Sequence, residues 1–445
     1  MSEVESPTDR PGEDVGLSPY GGDDTEPDVL PAAGYRTYEV YQRERVGETT
    51  NLIKPRQLIS DAYLTDPYSL LDILREHYPC FRDWATNRFW ITRYDDVTSV
   101  FVDDANYETR PKLWHYNRVG WGRSLWDEVD LQRARVNRID AGLTASVERC
   151  LAELANGGDL ATGLAARLPL ELWGEVLDLE GDDLSRFAGL FWTTQRGAGW
   201  HAEGRHEGLV ALDELATWFD ALLDERRGRD RDDLVSVAAR LESDRQPVSG
   251  ADLAVSVLES DHETLQGGLA NLWFQLLTNP EQLGLVRGDR RLVKFAWLEA
   301  LRHSPPVLSA VRYARHEVER FGRLIPEGGL VMCSGAAANR DPRVFAEPDR
   351  FLVERKDLCQ REPRGQYRAD GLPSGIAFGL GKPSVHPAIP KDRPRSLYAV
   401  TRDVAVAASN AVLDAHPDIA LTSGAEPTLR SLRLGEMHTC WSLPI

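Results

Sequence analysis

The tetrapeptide Glu299-Ala300-Leu301-Arg302 is the stretch from which the fold can be read. Glutamate and arginine three residues apart on a helix share one face and can pair. The apolar pattern around them predicts a helix over 291–303, which stops before Pro305-Pro306 because a proline disfavours helical conformation in the residue before it. Such pairs are common on helix surfaces, so the meaning of this one depends on the motifs that follow it.

Two further motifs follow this helix. Ala338-Asn339-Arg340-Asp341-Pro342 and Pro348-Asp349-Arg350-Phe351 lie in a stretch dense in Pro, Gly, Asp and Arg, which predicts a loop. Residues 307–332, between the helix and this loop, alternate apolar and polar residues as short strands do, and Arg312 falls among them. The order and spacing of these motifs carry more information than any one of them.

In this order and spacing the motifs resemble the cytochrome P450 family. The resemblance covers most of the chain and implies a mainly α fold with small β-sheets, the cytochrome P450 fold. In that family a Glu-x-x-Arg helix locks onto an arginine of such a loop, and the matching arginine here is Arg350. A buried three-way ion network of this kind fixes geometry more than it adds stability.

A long helix is predicted over 251–278, capped by Ser249 and ended by Asn279-Pro280. Within it, Glu263 and Thr264 resemble the acid–threonine pair that crosses the oxygen pocket in the family's central helix. The resemblance implies that this carboxylate and this hydroxyl are catalytic and relay protons through water. Asp261 stands where the family has a glycine, which is a departure at the same pocket.

Two arginines match positions at which the family holds the haem propionates. Arg135 is the arginine of a His-x-x-x-Arg pattern whose histidine is replaced by Leu131, and Arg312 is the second. Bidentate arginine–carboxylate contacts suit this task. The resemblance therefore implies haem, an iron protoporphyrin, as the cofactor, with Arg135 and Arg312 among its binding residues.

The segment Phe378-Gly379-Leu380-Gly381-Lys382-Pro383-Ser384-Val385-His386-Pro387 departs most from the family. Its first four residues match the Phe-Gly-x-Gly start of the family's haem-ligand loop, so the resemblance makes Phe378 a cofactor-binding residue. Pro383 takes the place of a basic propionate-binding residue. Val385 takes the place of the cysteine that ligates the iron, and its side chain has no atom that binds a metal.

His386 directly follows the altered position. An imidazole reaches farther than a thiolate, and its nitrogen is a common haem ligand. A shift of one residue, in a loop already changed by Pro383 and Pro387, would aim this side chain at the iron. His386 is therefore the candidate axial and metal ligand.

The overall composition excludes several classes of partner. With 52 basic and 70 acidic residues, the net charge is −18, which repels nucleic-acid phosphates and anionic lipid. The five cysteines are odd in number and lack metal-site spacing, so we expect reduced, mostly buried thiols in a cytoplasmic protein. No run of apolar residues is long enough to predict a membrane span.

The sequence predicts a short tail followed by one large domain. Residues 1–35 contain nine acidic residues, one basic residue and five prolines, a composition that cannot bury enough apolar surface to fold. We expect them to form a disordered acidic tail. Residues 36–445 show neither a repeat nor a linker, and we expect a single P450-like domain there.

Two functions are compatible with these residues. The first is a haem-dependent oxidoreductase, monooxygenase or peroxidase-like, because neutral imidazole pushes less electron density to the iron than thiolate does. Its substrate would be a small, apolar organic molecule, and the resemblance implies a ferredoxin as redox partner. Four tryptophans in variable stretches indicate an apolar pocket: Trp114, Trp121, Trp192 and Trp200.

The alternative is a haem-free auxiliary protein. Some P450-like proteins lack the cysteine and act by binding and activating a partner enzyme, such as a glycosyltransferase, in natural-product pathways. The changes to Leu131, Asp261 and Val385 fit this alternative, and so does the acidic surface.

Overall fold

The structure is a computed structural model. It describes residues 52–83, 87–101, 103–109, 121–126, 128–155, 157–197, 202–229, 231–243, 246–260, 262–357, 394–395, 397–432 and 437–445. The predicted tail and the segment 378–387, with Phe378 and His386, lie outside these residues, as does Asp261.

The described residues are mainly helical, as predicted. In chain order the α-helices are α1 (Asp61–Thr65), α2 (Tyr68–His77), α3 (Tyr94–Phe101), α4 (Val129–Glu153), α5 (Arg167–Leu177), α6 (Gly181–Gly197), α7 (Ala202–Arg226), α8 (Leu234–Arg240), α9 (Gly250–Leu258), α10 (His262–Thr278), α11 (Pro280–Gly288), α12 (Leu292–His303), α13 (Gly335–Ala338) and α14 (Leu397–Ala415). A 3₁₀-helix spans Pro55–Ile59, and a π-helical turn at Ala161–Ala166 runs into α5.

The strands are short. They are β1 (Phe81–Asp83), β2 (Arg88–Ile91), β3 (Tyr107–Glu108), β4 (Glu242–Ser243), β5 (Gln246–Pro247), β6 (Ala310–Ala314), β7 (Val318–Arg320), β8 (Arg323–Ile325), β9 (Leu330–Cys333), β10 (Thr428–Leu432) and β11 (Met437–Ser442). The strands predicted over 307–332 are therefore confirmed.

The chain forms two compact units. The first, called the sheet unit here, comprises Met1–Arg110, Asn271–Ala388 and Thr428–Cys440. The second, called the helical unit, comprises Pro111–Ala270, Ile389–Pro427 and Trp441–Ile445. The single domain predicted over 36–445 stays a prediction.

A five-stranded sheet in the order β1-β2-β9-β6-β3 organises the sheet unit. β2 and β9 are parallel, and the other neighbouring pairs are antiparallel. Successive side chains of a strand point to opposite faces. Phe89 and Ile91 accordingly pack with Val97 and Phe101 of α3, whereas Trp90 belongs to the core cluster of α1 and α2. The sheet is thus covered on both faces.

Helix packing builds the helical unit. Gly250 begins α9 where that helix meets α7, and a Cβ atom there would lie 2.0 Å from the carbonyl oxygen of Ala216. Only glycine permits so close an approach. Ser249 caps α9 as predicted, because its hydroxyl accepts the Asp252 N–H at 3.2 Å while the Asp252 carboxylate accepts the Ser249 N–H at 3.0 Å.

The predicted helix 251–278 is wrong in one respect, since it is divided into α9 and α10. Glu259 ends α9 and Ser260 forms a bend before α10 begins at His262. Serine and aspartate compete for backbone hydrogen bonds and disfavour helix interiors, which gives a local reason for the break. Among the described residues, no helix has the length and apolar character needed to cross a bilayer.

Candidate functional site

A buried ion network in the sheet unit is centred on Glu299 of α12. Arg302 forms a bidentate pair with this carboxylate, with Nε–Oε2 and Nη2–Oε1 both at 2.8 Å. The Arg355 Nε lies 3.0 Å from Oε1 of the same carboxylate. Glu299 and Arg302 are 0% and 1% exposed. The predicted Glu-x-x-Arg network is therefore present, and it ties α12 to the loop that follows α13.

The loop arginine of this network is not the predicted one. Arg350 points to the surface and pairs with Glu347 at 2.5 Å, whereas Arg355 is the residue that reaches Glu299. Arg350 contributes its backbone carbonyl instead, which accepts hydrogen bonds from Arg302 and Arg355. The prediction of Arg350 was wrong because the path of the loop, which the motif does not determine, brings Arg355 to Glu299 and turns Arg350 outward.

Arg312 lies on β6, on the face of the sheet that packs against α3. Its guanidinium carbon is 4.6 Å from the centre of the Phe101 ring, and its Nη1 donates to the Val311 carbonyl at 3.0 Å. Burial lowers the pKa of Arg312, which the nearby Cys333 and Asp104 offset in part. Within the described part of the chain, no carboxylate forms an ion pair with it.

Arg135 lies on α4 in the helical unit and is 7% exposed. Its guanidinium carbon is 4.8 Å from the centre of the Trp126 ring and 5.0 Å from that of Trp173. Leu131, one turn earlier, is buried in the core. The predicted cation is thus inside the helical unit, with aromatic rings as its neighbours.

Glu263 and Thr264 stand in the first turn of α10, where the helix dipole favours negative charge. Thr264 is buried and Glu263 is half-buried. His262, directly before them, is buried against α6, with ring centres 4.5 Å from Phe191 and 5.5 Å from Trp192. The structure therefore brings a carboxylate, a hydroxyl and an imidazole to the start of one helix.

A small cavity in the helical unit is lined by residues of α4, α5, α10 and α14. Its volume is about 30 Å³, which is enough for a water molecule but far below the 300–1,000 Å³ of typical ligand pockets. Arg135, His262 and Thr401 supply its polar groups. Two predicted features, Arg135 and the helix of Glu263, thus meet at one cavity.

Sequence reasoning missed three features of these sites, namely Arg355, the Trp126–Trp173 pair and the packing of His262. No local sequence pattern predicts that Trp126 and Trp173 meet, because one lies in a turn before α4 and the other in α5. Four of the five cysteines, Cys80, Cys150, Cys333 and Cys440, are buried free thiols as predicted, and Cys359 lies outside the described residues.

Comparison with known proteins gives the family. Residues 289–364 match the family model described as Cytochrome P450. Cytochrome P450 107B1 of Saccharopolyspora erythraea is 33% identical over 345 residues, which are 69% of this chain and 83% of that protein. This chain belongs to the cytochrome P450 superfamily. The predicted family is thereby confirmed.

Other similar proteins cover a larger share of this P450. The 6-deoxyerythronolide B hydroxylase of the same organism is 27% identical over 376 residues, 81% of this chain and 87% of that protein. The structure of the Bacillus subtilis 168 bacillaene polyketide synthase cytochrome P450 PksS superposes with a TM-score of 0.70 at 21% identity, covering 88% of this chain and 99% of that one. The predicted fold class is confirmed.

P450 proteins bind haem and are oxidoreductases of small organic molecules, which confirms the predicted enzyme class and cofactor at the level of the family. Arg312 fits such a group in this chain, since it is a desolvated cation that pairs with no carboxylate among the described residues. The axial ligand and the roles of Glu263, Thr264, Arg135, Phe378 and His386 remain predictions.

Proposed function

We propose that this P450 is a haem-dependent oxidoreductase of a small, apolar organic substrate, in which His386 takes the place of the missing cysteine as axial ligand. The observation that carries the proposal is that the Arg312 guanidinium forms no ion pair with a carboxylate among the described residues. Arg312 is half-buried, and removing a cation even partly from water is costly unless a partner compensates for the lost hydration. A haem propionate would supply that partner, and a scaffold that had lost haem would have no electrostatic reason to keep this arginine.

His386 is the nearest residue in sequence to Val385 that can bind iron. When bound, haem supplies the iron at which oxygen or peroxide is activated. Neutral imidazole donates less electron density to that iron than thiolate, which favours peroxidase-like chemistry or weakened monooxygenation. Phe378, at the start of the same loop, is the candidate residue that packs beside the haem.

The remaining residues have roles in charge and proton handling. Arg135 and Arg312 are the candidate partners of the propionates. The Glu263 carboxylate would take protons from water, and the Thr264 hydroxyl would pass them on, because general acid catalysis needs donors within hydrogen-bond reach of the reacting atom. A ferredoxin partner and a cytoplasmic location stay predictions that accompany this proposal.

Haem titration of the purified full-length chain tests the proposal. We expect wild-type protein to take up about one haem per chain with a saturable Soret band, by analogy with haem sites that use a single axial side chain. His386→Ala should weaken or shift this band, and His206→Ala, on the exposed surface of α7, should not. Absence of haem uptake by the wild type would overturn the proposal.

A second candidate, the haem-free auxiliary protein, is favoured by a different observation. The Arg135 guanidinium packs against two indole rings, those of Trp126 and Trp173, and Leu131 stands buried where a propionate-binding histidine is found in the family. In this role the chain would bind and activate a partner enzyme such as a glycosyltransferase. The test is the rate of the partner enzyme with and without this chain, where an unchanged rate and no co-purification count against it.

A further inference from the structure

In the sheet unit, α11, α12 and the turn between them carry a group of exposed and half-exposed residues that is mostly basic. We call this group the basic face, and it consists of Leu285, Arg287, Arg290, Arg291, Lys294 and Phe295. Asp289 is the one acidic residue in the sequence from 284 to 295. This local excess of basic residues stands out in a chain whose net charge is −18.

The basic face combines cations with exposed apolar side chains. Leu285 is 40% exposed and Phe295 is 43% exposed, and they are two of the four large apolar side chains exposed among the described residues. Arg291 already pairs with Asp289, with Nη2 and Oδ2 at 2.6 Å. Lys294 is exposed, and no carboxylate within the described ranges pairs with it. Such a face fits a partner that offers carboxylates beside apolar side chains.

The N-terminal tail of the same chain contains a segment of this chemistry. Asp23, Asp24, Glu26 and Asp28 are followed directly by the apolar pair Val29-Leu30, and residues 11–35 contain neither lysine nor arginine. We call residues 23–30 the acidic segment, which lies outside the described residues. Its carboxylates would attract exposed cations, and burial of its apolar pair would add a contribution that salt does not screen.

The connecting chain is long enough for the acidic segment to reach the basic face. The described residues begin at Leu52, in the sheet unit that also contains α11 and α12. The chain from Leu30 to Leu52 can span at most about 75 Å. A compact unit of this size is only about 45 Å across. Because the tether gives an effective concentration on the order of 1 mM, weak contacts are enough for docking within one chain.

We propose that the acidic segment docks on the basic face of its own chain, with its carboxylates beside Lys294 and Arg291 and its apolar pair against Leu285 and Phe295. The inference does not depend on haem binding. The docked segment would cover this face, so an acidic partner protein would have to displace the tail before binding there. Occupancy of the face by the segment should decrease as the ionic strength rises.

Photo-cross-linking in the full-length chain tests the contact. The photoreactive residue p-benzoylphenylalanine replaces Phe295, because it keeps an aromatic ring at this exposed position, and mass spectrometry maps the peptides that it joins. The matched control carries the same residue in place of Val210, an exposed apolar side chain of α7. We expect position 295 to form a link to residues 20–31 of the same chain, and position 210 to form none.

Charge variants test whether the contact is electrostatic. Lys294→Glu should lower the yield of the link from position 295 about fivefold, because an exposed ion pair is lost and a repulsion is gained. Lys356→Glu makes the same change of charge at an exposed position outside the basic face and should leave the yield unchanged. Raising NaCl from about 0.1 M to about 1 M shortens the Debye length from about 10 Å to about 3 Å, which should also lower the yield.

If the photoreactive variant does not fold, the unmodified chain decides the question. A carbodiimide, which joins amines to carboxylates in contact with them, should link the Lys294 amine to the acidic segment and should not link the Lys356 amine to it.

Three outcomes would overturn the inference. A face that forms no link to residues 20–31 is not covered by the tail and is left to another partner. Links between chains, seen as mixed products of isotopically heavy and light protein, identify a second copy of the chain as the occupant. Equal yields in Lys294→Glu and Lys356→Glu show that charge does not hold the segment on this face.

Discussion

Arginines are held in two ways in this protein, by carboxylates and by aromatic rings. In the sheet unit, Arg302 and Arg355 share the carboxylate of Glu299 at 2.8–3.0 Å. In the helical unit, Arg135 is held by aromatic faces at 4.8 and 5.0 Å. The first arrangement satisfies the hydrogen-bonding edge of each cation within the fold. The second packs the cation against the aromatic rings of Trp126 and Trp173.

Under the proposed function, this difference separates the structural cations from the two arginines proposed to bind the haem propionates. A carboxylate-paired arginine holds two segments together, and nothing else has to bind for it to be stable. An arginine buried on aromatic rings keeps its charge and its directional donors for an anion. Arg312, stacked on Phe101, is of the second kind although it lies in the sheet unit. We therefore expect substitutions in the two groups to affect different measurements.

The largest effect is expected for Glu299→Gln. This change leaves two buried guanidinium groups without their carboxylate, and breaking a buried pair costs about 3–5 kcal/mol. Urea unfolding of the haem-free chain measures the loss. The matched control is Glu347→Gln, which alters the exposed pair with Arg350 and should cost less than about 1 kcal/mol. Equal losses of unfolding free energy for the two variants would show that the buried network of Glu299 contributes no more than an exposed ion pair.

The second-largest loss of stability is expected for Arg355→Met. It removes one arm of the network together with the hydrogen bonds from Arg355 to the carbonyls of Ala346, Glu347 and Arg350. We expect a loss of about 3 kcal/mol of unfolding free energy. Arg350→Met should change it by less than about 0.5 kcal/mol, because that side chain is 63% exposed. A larger loss for Arg350→Met than for Arg355→Met would show that Arg350 is the loop arginine of the network.

Two buried histidines, His303 and His438, also make stability depend on pH. Burial, reinforced by Arg340, lowers the pKa of His303 well below 6.5, and burial lowers that of His438. Below about pH 6.5 these histidines bind protons in the unfolded chain but stay neutral in the folded chain. The free energy of unfolding therefore decreases as the pH falls. For His303, whose pKa is the more strongly lowered, the slope should approach about 1.4 kcal/mol per pH unit, and His438 should add less.

Urea unfolding at several values between pH 7.5 and pH 5 checks this sign. His303→Gln should reduce the slope below about pH 6.5, while His206→Gln, at an exposed position of α7, should keep the wild-type slope. A stability that rises on acidification, or a slope unchanged by His303→Gln, contradicts the prediction.

Arg312→Leu should have the smallest effect on stability. It removes a desolvated cation together with its contact to Phe101, and we expect the unfolding free energy to change by less than about 1 kcal/mol. Haem affinity should fall about tenfold or more, because charge-assisted hydrogen bonds are lost. Arg320→Leu is the control, since Arg320 pairs with Asp103 at 3.0 Å and should affect stability but not haem affinity. Unchanged haem affinity in Arg312→Leu would place this arginine among the structural ones.

Local patterns account for what the sequence predicted well. The cap at Ser249 and the helix ending at His303 depend on neighbouring residues, so the sequence alone predicts them. The break after Glu259 was missed because hydrophobic periodicity averages over several turns and does not register a short bend. The family resemblance gave Arg135 and Arg312 as functional cations; in the structure Arg135 is buried and Arg312 is half-buried.

Long-range packing accounts for what the sequence did not predict. The choice of Arg355 over Arg350 depends on the path of a loop, and the loop follows from contacts with Glu299 and with backbone carbonyls far away in sequence. The contacts of Arg135 with Trp126 and Trp173 join segments that meet only because of how α4 and α5 pack. Pairing between distant residues leaves no periodic signal in a single sequence.

The central claim is that this P450 scaffold holds haem without a thiolate. The most direct measurement is the absorption spectrum of the haem-reconstituted chain, ferric and then ferrous with carbon monoxide, beside His386→Ala. The account predicts a Soret band with imidazole-type features in the wild type, lost or shifted in the variant. A thiolate-type spectrum, with one of the five cysteines as ligand, or no haem uptake by either protein, would contradict it.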